Sequence, residues 1–407
     1  MADKVTNSEA KSFDAVVLGV TSSIAAYKAA DITSSLVQKN IDVNVIMTED
    51  ATKLVRPQTF TTLSRNQTIT DLWNVPDWRP EHIALADKTD LLLVAPATAN
   101  FIGKMANGIA DDALSTYALS HNGPVLIAPA MNPKMWRHPA VQENCRKLRD
   151  RGVRILEPEG GHVACGSDTD KGRLRNTQSI VNATLAHLAV KDLQQVQPGS
   201  KKLLVTAGPT REPIDSVRFI SNYSSGKMGY AIAETGRAMG FDTTLVSGPV
   251  TIPPPEGVKT IQTDTAEEMN NAVTAEFPSC DILVMAAAVG DFRVARTSSE
   301  KIKKHQLQDM QLQLEFTEDI LQNLSAVKKE NQKVVGFAAE STDIIENAQK
   351  KLMEKSLDFI IANDISKADI GFGAEDNKVT LITPTDTQDI ERMSKLDLSA
   401  KILQYIT

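Results

Sequence analysis

Short apolar runs alternate with longer helical stretches along this chain, and this alternation constrains the fold more than any other feature. The runs in the first half lie at 15–20, 43–47, 91–95, 125–129 and 153–156. The stretch at 23–39 carries apolar residues at three-to-four spacing, which indicates a helix, and another helix is predicted near 178–192. Because near-continuous apolar strands are buried on both faces, the pattern predicts an α/β fold with a parallel sheet covered by helices.

The same alternation restarts in the second half, after a polar segment that contains Pro198 and Gly199. Its strand-like runs lie at 202–208, 243–248, 282–288, 333–339 and 359–363. A run at 378–384 followed by TQDIER predicts an antiparallel hairpin, and a last helix is predicted to begin near Lys395. The two halves share no motif, so we expect two distinct α/β domains. The predicted boundaries are a disordered leader at 1–12, a first domain at 13–190, a linker at 191–200 and a second domain at 201–407.

Composition narrows the class of protein. Of the 407 residues, 42% are hydrophobic and 23% are charged, which is ordinary for a globular protein, and the net charge of -7 argues against a nucleic-acid-binding surface. Cys145, Cys165 and Cys280 lie far apart, which argues against a zinc ribbon or a redox dithiol and favours a reducing compartment. The first residues lack the apolar stretch of a signal peptide, and the longest apolar runs are too short to cross a bilayer. We expect a cytoplasmic protein that binds neither nucleic acid nor a membrane.

Two turns of the first half are predicted to follow strands directly. GVTSSIAAYK places Thr21, Ser22 and Ser23 where the first strand meets the first helix, and free N–H groups and hydroxyls at such a turn suit a phosphate. Equally, these side chains could only cap the helix. VAPATAN places Thr98 and Asn100 at the carboxyl end of another strand, where open parallel sheets bind ligands. Small residues there could admit a flat ring, or could simply let a helix pack against the sheet.

Three further segments of the first half could carry reactive groups. His82 precedes an apolar helical pattern, so it is either a proton-transfer group or an ordinary surface histidine. PAMNPKMW at 129–136 is too irregular for a plain helix and predicts a shaped loop that carries Met131 and Asn132. Glycines flank Cys165 in 160–174, which suggests either a flap with a thiol over a site or a surface hairpin with a structural cysteine.

Taken together, GVTSSIAAYK, EHIALA, APATAN, ADDAL, PAMNPKMW and ACG…GRL resemble the flavin-containing cysteine decarboxylases, in particular the phosphopantothenoylcysteine decarboxylase domain of bacterial coenzyme A biosynthesis. The resemblance covers nearly all of 13–190 and implies a flavodoxin-like fold that binds FMN between the subunits of a trimer. The residues it places around FMN are Thr21, Ser22, Ser23, Thr48, Thr98 and Asn100. It implies that His82 handles a proton or the carboxylate, that Asn132 and Met131 contact the substrate, and that Cys165 protonates the enethiol product.

A second glycine-rich segment, 206–229, follows the first strand of the second half. Its SSGKMG is not a Walker A motif, because Ser221 stands where that motif needs glycine and Met228 where it needs serine or threonine. Backbone N–H groups near Gly226 could still cradle phosphates at a helix that begins near Lys227. The alternative is a helix start with no ligand.

Downstream, AAAVGDF ends a strand and places Asp291 where a metal or a nucleotide could be bound. KIKK follows at 301–304. A run of charges is usually a solvated face, but this run follows a glycine-rich loop and a carboxylate, which favours phosphate binding.

TAGPTREPIDxVRxISNxSSGKMG, AAVxDF, KIKK, GFAAE and AND resemble, in order, the phosphopantothenate–cysteine ligase domain over about 201–405. The resemblance implies a Rossmann-like domain that activates 4'-phosphopantothenate with CTP as an acyl-cytidylate, with Mg2+ or Mn2+, before cysteine forms the amide. Asn222 would contact the acyl-cytidylate, Asp291 the metal or the ribose, and Lys301 the triphosphate. The remaining nucleotide contacts would be Ser224, Ser225, Gly226, Lys227, Lys303, Lys304, Phe337 and Asn363.

The joint resemblance of both halves implies a bifunctional enzyme that assembles as trimers of the flavin domain linked by dimers of the ligase domain, giving a dodecamer. Two other functions share the first fold. A decarboxylase of C-terminal cysteine in peptides is disfavoured by the attached ligase half. A regulator of phosphatases in halotolerance is disfavoured because His82, Asn132 and Cys165 are all present.

Overall fold

The computed structural model describes residues 14–72, 85–161, 170–303, 311–340, 342–364 and 373–407. His82, Cys165 and Lys304 lie outside these ranges. The chain divides into two compact units, Met1–Leu188 and Ala189–Thr407. Each unit is built on its own sheet, so each has its own core and its own row of strand ends.

The first unit contains a parallel sheet with the strand order β2-β1-β3-β4-β5. Its strands are β1 Ala15–Val20, β2 Asp42–Met47, β3 Leu91–Ala97, β4 Val125–Pro129 and β5 Arg154–Ile155. This is the flavodoxin-like order, in which ligands bind where the strand order reverses, between β1 and β3. The flavodoxin-like fold predicted for this half is therefore confirmed, although the fifth strand is only two residues long.

Helices cover both faces of this sheet, as the apolar strands require. They are α1 Lys28–Gln38, α2 Glu49–Thr52, α3 Pro57–Ser64, α4 Ala99–Asn107, α5 Ala113–Ser120, α6 Pro133–Trp136, α7 Pro139–Asp150 and α8 Thr177–Ala189. Val16 and Leu18 pack on the face covered by α1 and α8, whereas Val17 packs on the face with Phe101 and Tyr117. The helix predicted from residue 23 begins as a 3-10 turn, Ile24–Tyr27, before α1.

The second unit contains an eight-stranded sheet in the order β10-β9-β6-β11-β14-β15-β16-β17, with two separate hairpins, β7–β8 and β12–β13. The strands are β6 Lys202–Ala207, β7 Arg211–Pro213, β8 Phe219–Ser221, β9 Asp242–Ser247, β10 Lys259–Gln262, β11 Ile282–Met285, β12 Phe292–Val294, β13 Leu314–Phe316, β14 Lys333–Glu340, β15 Phe359–Asp364, β16 Asp376–Ile382 and β17 Thr387–Ser394. From β10 to β15 the strands are parallel in the Rossmann order, which reverses between β6 and β11. The Rossmann-like α/β fold predicted here is confirmed.

The helices of this unit are α9 Lys227–Met239, α10 Ala266–Glu276, α11 Ile320–Ser325, α12 Ile344–Glu354 and α13 Lys395–Ile406. The predicted antiparallel hairpin is β16–β17, and the last helix begins at Lys395 as expected. The strand predicted at 282–288 instead ends at Met285, which leaves the small residues 286–288 at the carboxyl end of the sheet. In the described ranges no helix is both long and apolar enough to span a membrane.

Candidate functional sites

Thr21 joins the two strands at which the order of the first sheet reverses. Its buried hydroxyl donates to the carbonyl oxygen of Pro96 at 2.8 Å and accepts from the N–H of Thr98 at 2.9 Å. A hydroxyl has one donor and two acceptor positions, so these two bonds leave one acceptor position at most. Thr21 therefore acts first as a link between the carboxyl ends of β1 and β3.

The two serines that follow Thr21 differ in their surroundings. The side chain of Ser23 is buried and accepts from the N–H of Ala25 at 3.4 Å, so it caps the 3-10 turn. Ser22 is exposed. Of the phosphate contacts predicted from this turn, Ser22 is thus the hydroxyl that solvent or a ligand can reach.

Thr48 carries a buried hydroxyl that has no hydrogen-bond partner among the described residues. It lies at the carboxyl end of β2, and its N–H donates to the carbonyl of Val20 at the end of β1, at 3.1 Å. A buried hydroxyl without a partner costs about 1–3 kcal/mol, so a ligand that supplies the partner fits this position. Thr98 caps α4 through the N–H of Phe101 at 3.4 Å, and Asn100 is exposed on the first turn of the same helix.

Asn132 follows β4 and caps α6, because its side-chain oxygen accepts from the N–H of Lys134 at 2.9 Å. The neighbouring Met131 donates its N–H to the carbonyl of Gly172 at 3.0 Å. A Cβ at Gly172 would lie 2.5 Å from the carbonyl oxygen of Met131, so the close approach requires glycine. An ion pair of 2.9 Å between Arg137 and Asp170 adds a second link.

One end of the segment predicted to form either a flap or a surface hairpin is therefore anchored beside the Asn132 loop. Cys165 itself lies in 162–169, outside the described residues, so the position of its thiol stays a prediction.

The second unit contains a cavity of about 560 Å³ at the carboxyl ends of its central strands, where the strand order reverses. It is lined by 224–228, 285–292, 316–321 and 336–339, together with Lys351, Lys355, Asn363, Asn377 and Lys395. Because β11 ends at Met285, three alanines at 286–288 form one wall and leave room that larger side chains would fill. This volume is in the range of small-molecule sites.

The glycine-rich segment reaches this cavity at the start of α9. Gly226 precedes the helix with φ of 76°, and the hydroxyls of Ser224 and Ser225 accept from the N–H groups of Gly226 and Lys227 at 3.4 and 3.5 Å. The start of a 13-residue helix lines the cavity and favours negative charge. The ammonium of Lys227 already binds the carbonyl of Gly373 at 2.8 Å and the carboxylate of Glu375 at 2.5 Å.

Asn222 is held against the wall formed after β11. Its side-chain amide donates to the carbonyl of Ala288 at 2.8 Å. The N–H of Gly290 donates to the hydroxyl of Thr210 at 2.9 Å, and its carbonyl accepts from the hydroxyl of Thr317 at 2.6 Å. The next residue, Asp291, is exposed and lines the cavity. Hydrogen bonds thus bring together 206–229 and 286–292, which the sequence analysis had treated separately, and join them to Thr317.

Phe337 on β14 and Asn363 on β15, which the resemblance implies as nucleotide contacts, line the same cavity. The side-chain oxygen of Asn363 is buried and has no partner among the described residues. A buried amide oxygen of this kind calls for a donor from a ligand, such as an amino group on a base.

Sequence reasoning missed three lysines that line the cavity: Lys351, Lys355 and Lys395. Lys355 pairs with Asp319 at 2.9 Å. Burial would raise the pKa of Asp319, but the hydrogen bond from Lys355 and the backbone N–H of Gln322 outweigh it, so the pKa is lowered. Isolated lysines in helical patterns give no sign of convergence, so only the sheet order reveals them.

Lys395 is the most buried of these cations, with 8% of its surface exposed. Its ammonium donates to the carbonyl of Ala374. Burial, and then the positive charge of Lys227, lower the pKa of Lys395. A buried cation with a perturbed pKa in a cavity is typical of a functional site.

Lys301 and Lys303 are exposed and lie outside the set of residues that line the cavity. Within the described ranges, no group of three or more His, Cys, Asp and Glu side chains is placed to hold a metal. This is compatible with Mg2+, which proteins often bind through one or two carboxylates plus substrate phosphates, and Asp291 can supply one carboxylate.

Comparison with known proteins places both units. Residues 4–189 match the Flavoprotein family, and residues 199–407 match the DNA/pantothenate metabolism flavoprotein C-terminal domain. The chain is 46% identical over 396 residues to the coenzyme A biosynthesis bifunctional protein CoaBC of Bacillus subtilis (strain 168), with 96% of both chains covered. Identity to the protein of the same name from Escherichia coli (strain K12) is 40% over 370 residues, with 90% of both chains covered.

Another relative is named cysteine/cysteine sulfinic acid decarboxylase, from an unknown prokaryotic organism. It is 43% identical over 356 residues, which cover 87% of this chain and 99% of the relative. Among solved structures, the C-terminal domain of a coenzyme A biosynthesis bifunctional protein CoaBC matches with 38% identity and a TM-score of 0.44, covering 51% of this chain and 95% of that chain. The FMN-dependent cysteine decarboxylase SpaF matches with 31% identity and a TM-score of 0.37, covering 42% of this chain and 98% of that chain.

Both family matches occur in the order predicted from the motifs, and the relatives extend over nearly the whole chain. The resemblance seen in the sequence is therefore confirmed. The chain belongs to the family of bifunctional coenzyme A biosynthesis enzymes, which join a phosphopantothenoylcysteine decarboxylase to a phosphopantothenate–cysteine ligase.

Proposed function

We propose that the second unit joins 4'-phosphopantothenate to cysteine by way of an acyl-cytidylate. A carboxylate oxygen of 4'-phosphopantothenate attacks the α-phosphorus of CTP and pyrophosphate leaves. The amine of cysteine then attacks the acyl carbon, CMP leaves, and an amide is formed. The observation that carries this proposal is the cavity of about 560 Å³, which has the start of α9 in one wall. Another wall holds the side-chain oxygen of Asn363, which has no partner among the described residues.

The two walls suit the two ends of a nucleotide. The N–H groups around Gly226 favour the phosphates. The side-chain oxygen of Asn363 accepts from the exocyclic amine of cytosine, which is a donor. Phe337 offers an apolar surface to the base, and Asn222 contacts the acyl-cytidylate from its position on Ala288.

Positive charge supports the departure of pyrophosphate. Lys355 and Lys395 line the cavity, and Lys301 and Lys303 supply further ammonium groups from outside its wall. Lys304, which lies outside the described residues, is proposed to add another. Fixed cations stabilise charge that grows on a leaving phosphate group. When bound beside Asp291, Mg2+ or Mn2+ neutralises part of the triphosphate charge.

For the first unit we propose oxidative decarboxylation of 4'-phosphopantothenoylcysteine with FMN as the cofactor. The Thr48 hydroxyl, which has no partner among the described residues, and the exposed Ser22 fit a ligand with hydroxyls and a phosphate. Thr98 and Asn100 border the same strand ends. When bound, FMN supplies the removal and return of a hydride. Asn132 holds the substrate carboxylate beside Met131, His82 handles a proton or the carboxylate, and Cys165 donates a proton to the enethiol.

Three measurements on one purified preparation test these proposals. Denaturation should release FMN, and CO2 should be released from 4'-phosphopantothenoylcysteine. Pyrophosphate should be released from CTP only when 4'-phosphopantothenate is present, and more slowly from ATP. A colourless protein, or one that releases FAD, would contradict the cofactor. Because one relative is named a cysteine decarboxylase, free cysteine is assayed in parallel, and faster CO2 release from it would replace the proposed substrate.

We also propose that the chain assembles as trimers of the first unit joined by dimers of the second. Large apolar side chains are exposed on both units, including Ile24 at 70% and Tyr27 at 60% on the first, and Tyr223 at 97% and Phe316 at 79% on the second. Exposed apolar surface of this kind favours association. Light scattering should give the mass of twelve chains, and a monomer mass would contradict the assembly.

A further inference from the structure

The turn of the β7–β8 hairpin holds a carboxylate that the proposed reaction does not use. Asp215 lies in this turn, yet none of its side chain is exposed. Its carboxylate accepts from the N–H groups of Val217 and Arg218, both at 2.8 Å, and from the guanidinium of Arg218 at 3.0 Å. A fourth donor comes from far along the chain, because the N–H of Ile302 lies 3.1 Å from the same carboxylate.

Ile302 is the residue between Lys301 and Lys303. The Asp215–Arg218 ion pair binds both backbone groups of Ile302. The carboxylate of Asp215 accepts from the N–H of Ile302, and the guanidinium of Arg218 donates to the carbonyl of Ile302 at 3.3 Å. The same segment is tied to the hairpin a second time, because the N–H of Ser298 donates to the carbonyl of Ile214 at 3.1 Å. The hairpin turn therefore holds the backbone at the centre of the lysine run.

Both ends of this contact lead to the cavity. The β7–β8 hairpin lies within the glycine-rich segment 206–229 and leads through Asn222 to the start of α9. The lysine run, KIKK at 301–304, follows Asp291 and β12. Burial would raise the pKa of Asp215, but the three backbone N–H groups and Arg218 outweigh it and lower the pKa. The carboxylate therefore stays charged and keeps its donors at neutral pH.

We infer that Asp215 is a positioning residue for the ligase reaction. It fixes Lys301 and Lys303 relative to the start of α9. This inference rests on the proposed role of the lysine run. Asp215 acts through the backbone of Ile302 and makes no contact with substrate in this scheme.

The first test is a double-mutant cycle in the full-length chain. Asp215→Asn should lower kcat/KM for CTP about tenfold or more, because it removes the charge that orders Ile302. Added to Lys301→Gln, it should cost less than about threefold more, since both changes affect one interaction. Glu330→Gln removes an exposed carboxylate of the same unit and serves as the matched control, with no expected loss. Effects of Asp215→Asn and Lys301→Gln that multiply in full would overturn the inference.

The second test needs no ligase activity. Trypsin cuts after lysine, so release of the segment should speed cleavage after Lys301 and Lys303 at least fivefold in Asp215→Asn, at a temperature well below the Tm of both proteins. If that variant fails to fold, Ile302→Pro breaks the contact from its far end, because proline has no N–H, although it also fixes φ and removes the isoleucine side chain. It should give the same faster cleavage after Lys303 and the same loss of ligase. Unchanged cleavage in the folded variants overturns the positioning role. Faster cleavage together with a normal Lys301→Gln enzyme would instead contradict the proposed role of the lysine run.

Discussion

The two units place their sites at equivalent points of similar sheets but build them from different chemistry. In the first unit the strand ends carry the neutral hydroxyls of Thr21, Thr48 and Thr98. Those of Thr21 and Thr98 already bind backbone groups. In the second unit the strand ends enclose a cavity lined by Lys355, Lys395 and other charged groups. Neutral hydroxyls suit the proposed flavin cofactor, whereas fixed cations suit the proposed triphosphate. The position of a site therefore follows from the strand order, and its chemistry follows from the side chains.

The largest effect should separate the units completely. Cys165→Ser should lower formation of 4'-phosphopantetheine by roughly 10²–10⁴-fold, because a serine hydroxyl is a far weaker acid than a thiol and general acid catalysis contributes that much. CO2 should still be released, and an oxidised enethiol product should accumulate, as mass spectrometry of the products would show. Ligase turnover is the internal control. Normal 4'-phosphopantetheine yield would refute the acid role, and His82→Asn should instead block at or before CO2 release.

The second prediction is a loss of ligase activity with decarboxylation retained. Lys301→Gln should lower ligase turnover on the order of a hundredfold, because a charge that stabilises a transition state is worth about 3–4 kcal/mol. Pyrophosphate release from CTP and CO2 release from 4'-phosphopantothenoylcysteine are measured on the same preparation, together with FMN content. Ligase rates within a few-fold of the unmodified chain would make the lysine run a solvated face. An equal loss of both activities would indicate a defect in folding or assembly.

Lys395 allows activity and stability to be set against each other. Lys395→Met should raise KM for CTP about tenfold, since a charge-assisted contact is worth about 1.5–3 kcal/mol. Its effect on stability should have the opposite sign. The pKa of Lys395 is lowered in the folded state, so its ammonium reduces the stability of the fold at neutral pH. The unmodified chain therefore gains stability as pH rises through the lowered pKa toward 10.5.

Urea unfolding between pH 7 and pH 10.5 checks this sign. The Met variant should be the more stable protein at pH 7, and its advantage should shrink as pH rises. A Met variant that is less stable at pH 7 would show that the ammonium stabilises the fold through Ala374 and is not held there for the ligand.

The smallest effect concerns Thr48. Thr48→Val removes the unsatisfied hydroxyl while keeping the shape of the side chain, so FMN should bind about five- to tenfold more weakly, in line with one hydrogen bond of about 1 kcal/mol or slightly more. The flavin-free form should be no less stable than the unmodified one, because a buried polar atom without a partner is lost. Flavin titration and thermal unfolding measure the two quantities. Unchanged FMN affinity would show that Thr48 does not contact FMN. Ligase activity serves as the control and should not change.

Much of each fold could be predicted from local patterns. The runs at 15–20 and 125–129 became β1 and β4 with the predicted bounds, because a strand buried on both faces must be apolar throughout. The hairpins β7–β8 and β12–β13 were missed, because strands of three residues are too short to show a period. The strand ending at Met285 was predicted three residues too long, since 286–288 are apolar but face a cavity.

By itself the sequence determined the two α/β units, the family and the segments that carry reactive groups, because helix and strand periods and compact motifs are local properties of the chain. Only the tertiary structure decided which distant side chains meet. Lys395 lines the same cavity as Gly226, and Asp215 binds the N–H of Ile302, 87 residues further along the chain. The physical reason is that such contacts depend on strand order and on where each crossover returns, and no residue pattern near Asp215 or Lys395 encodes either.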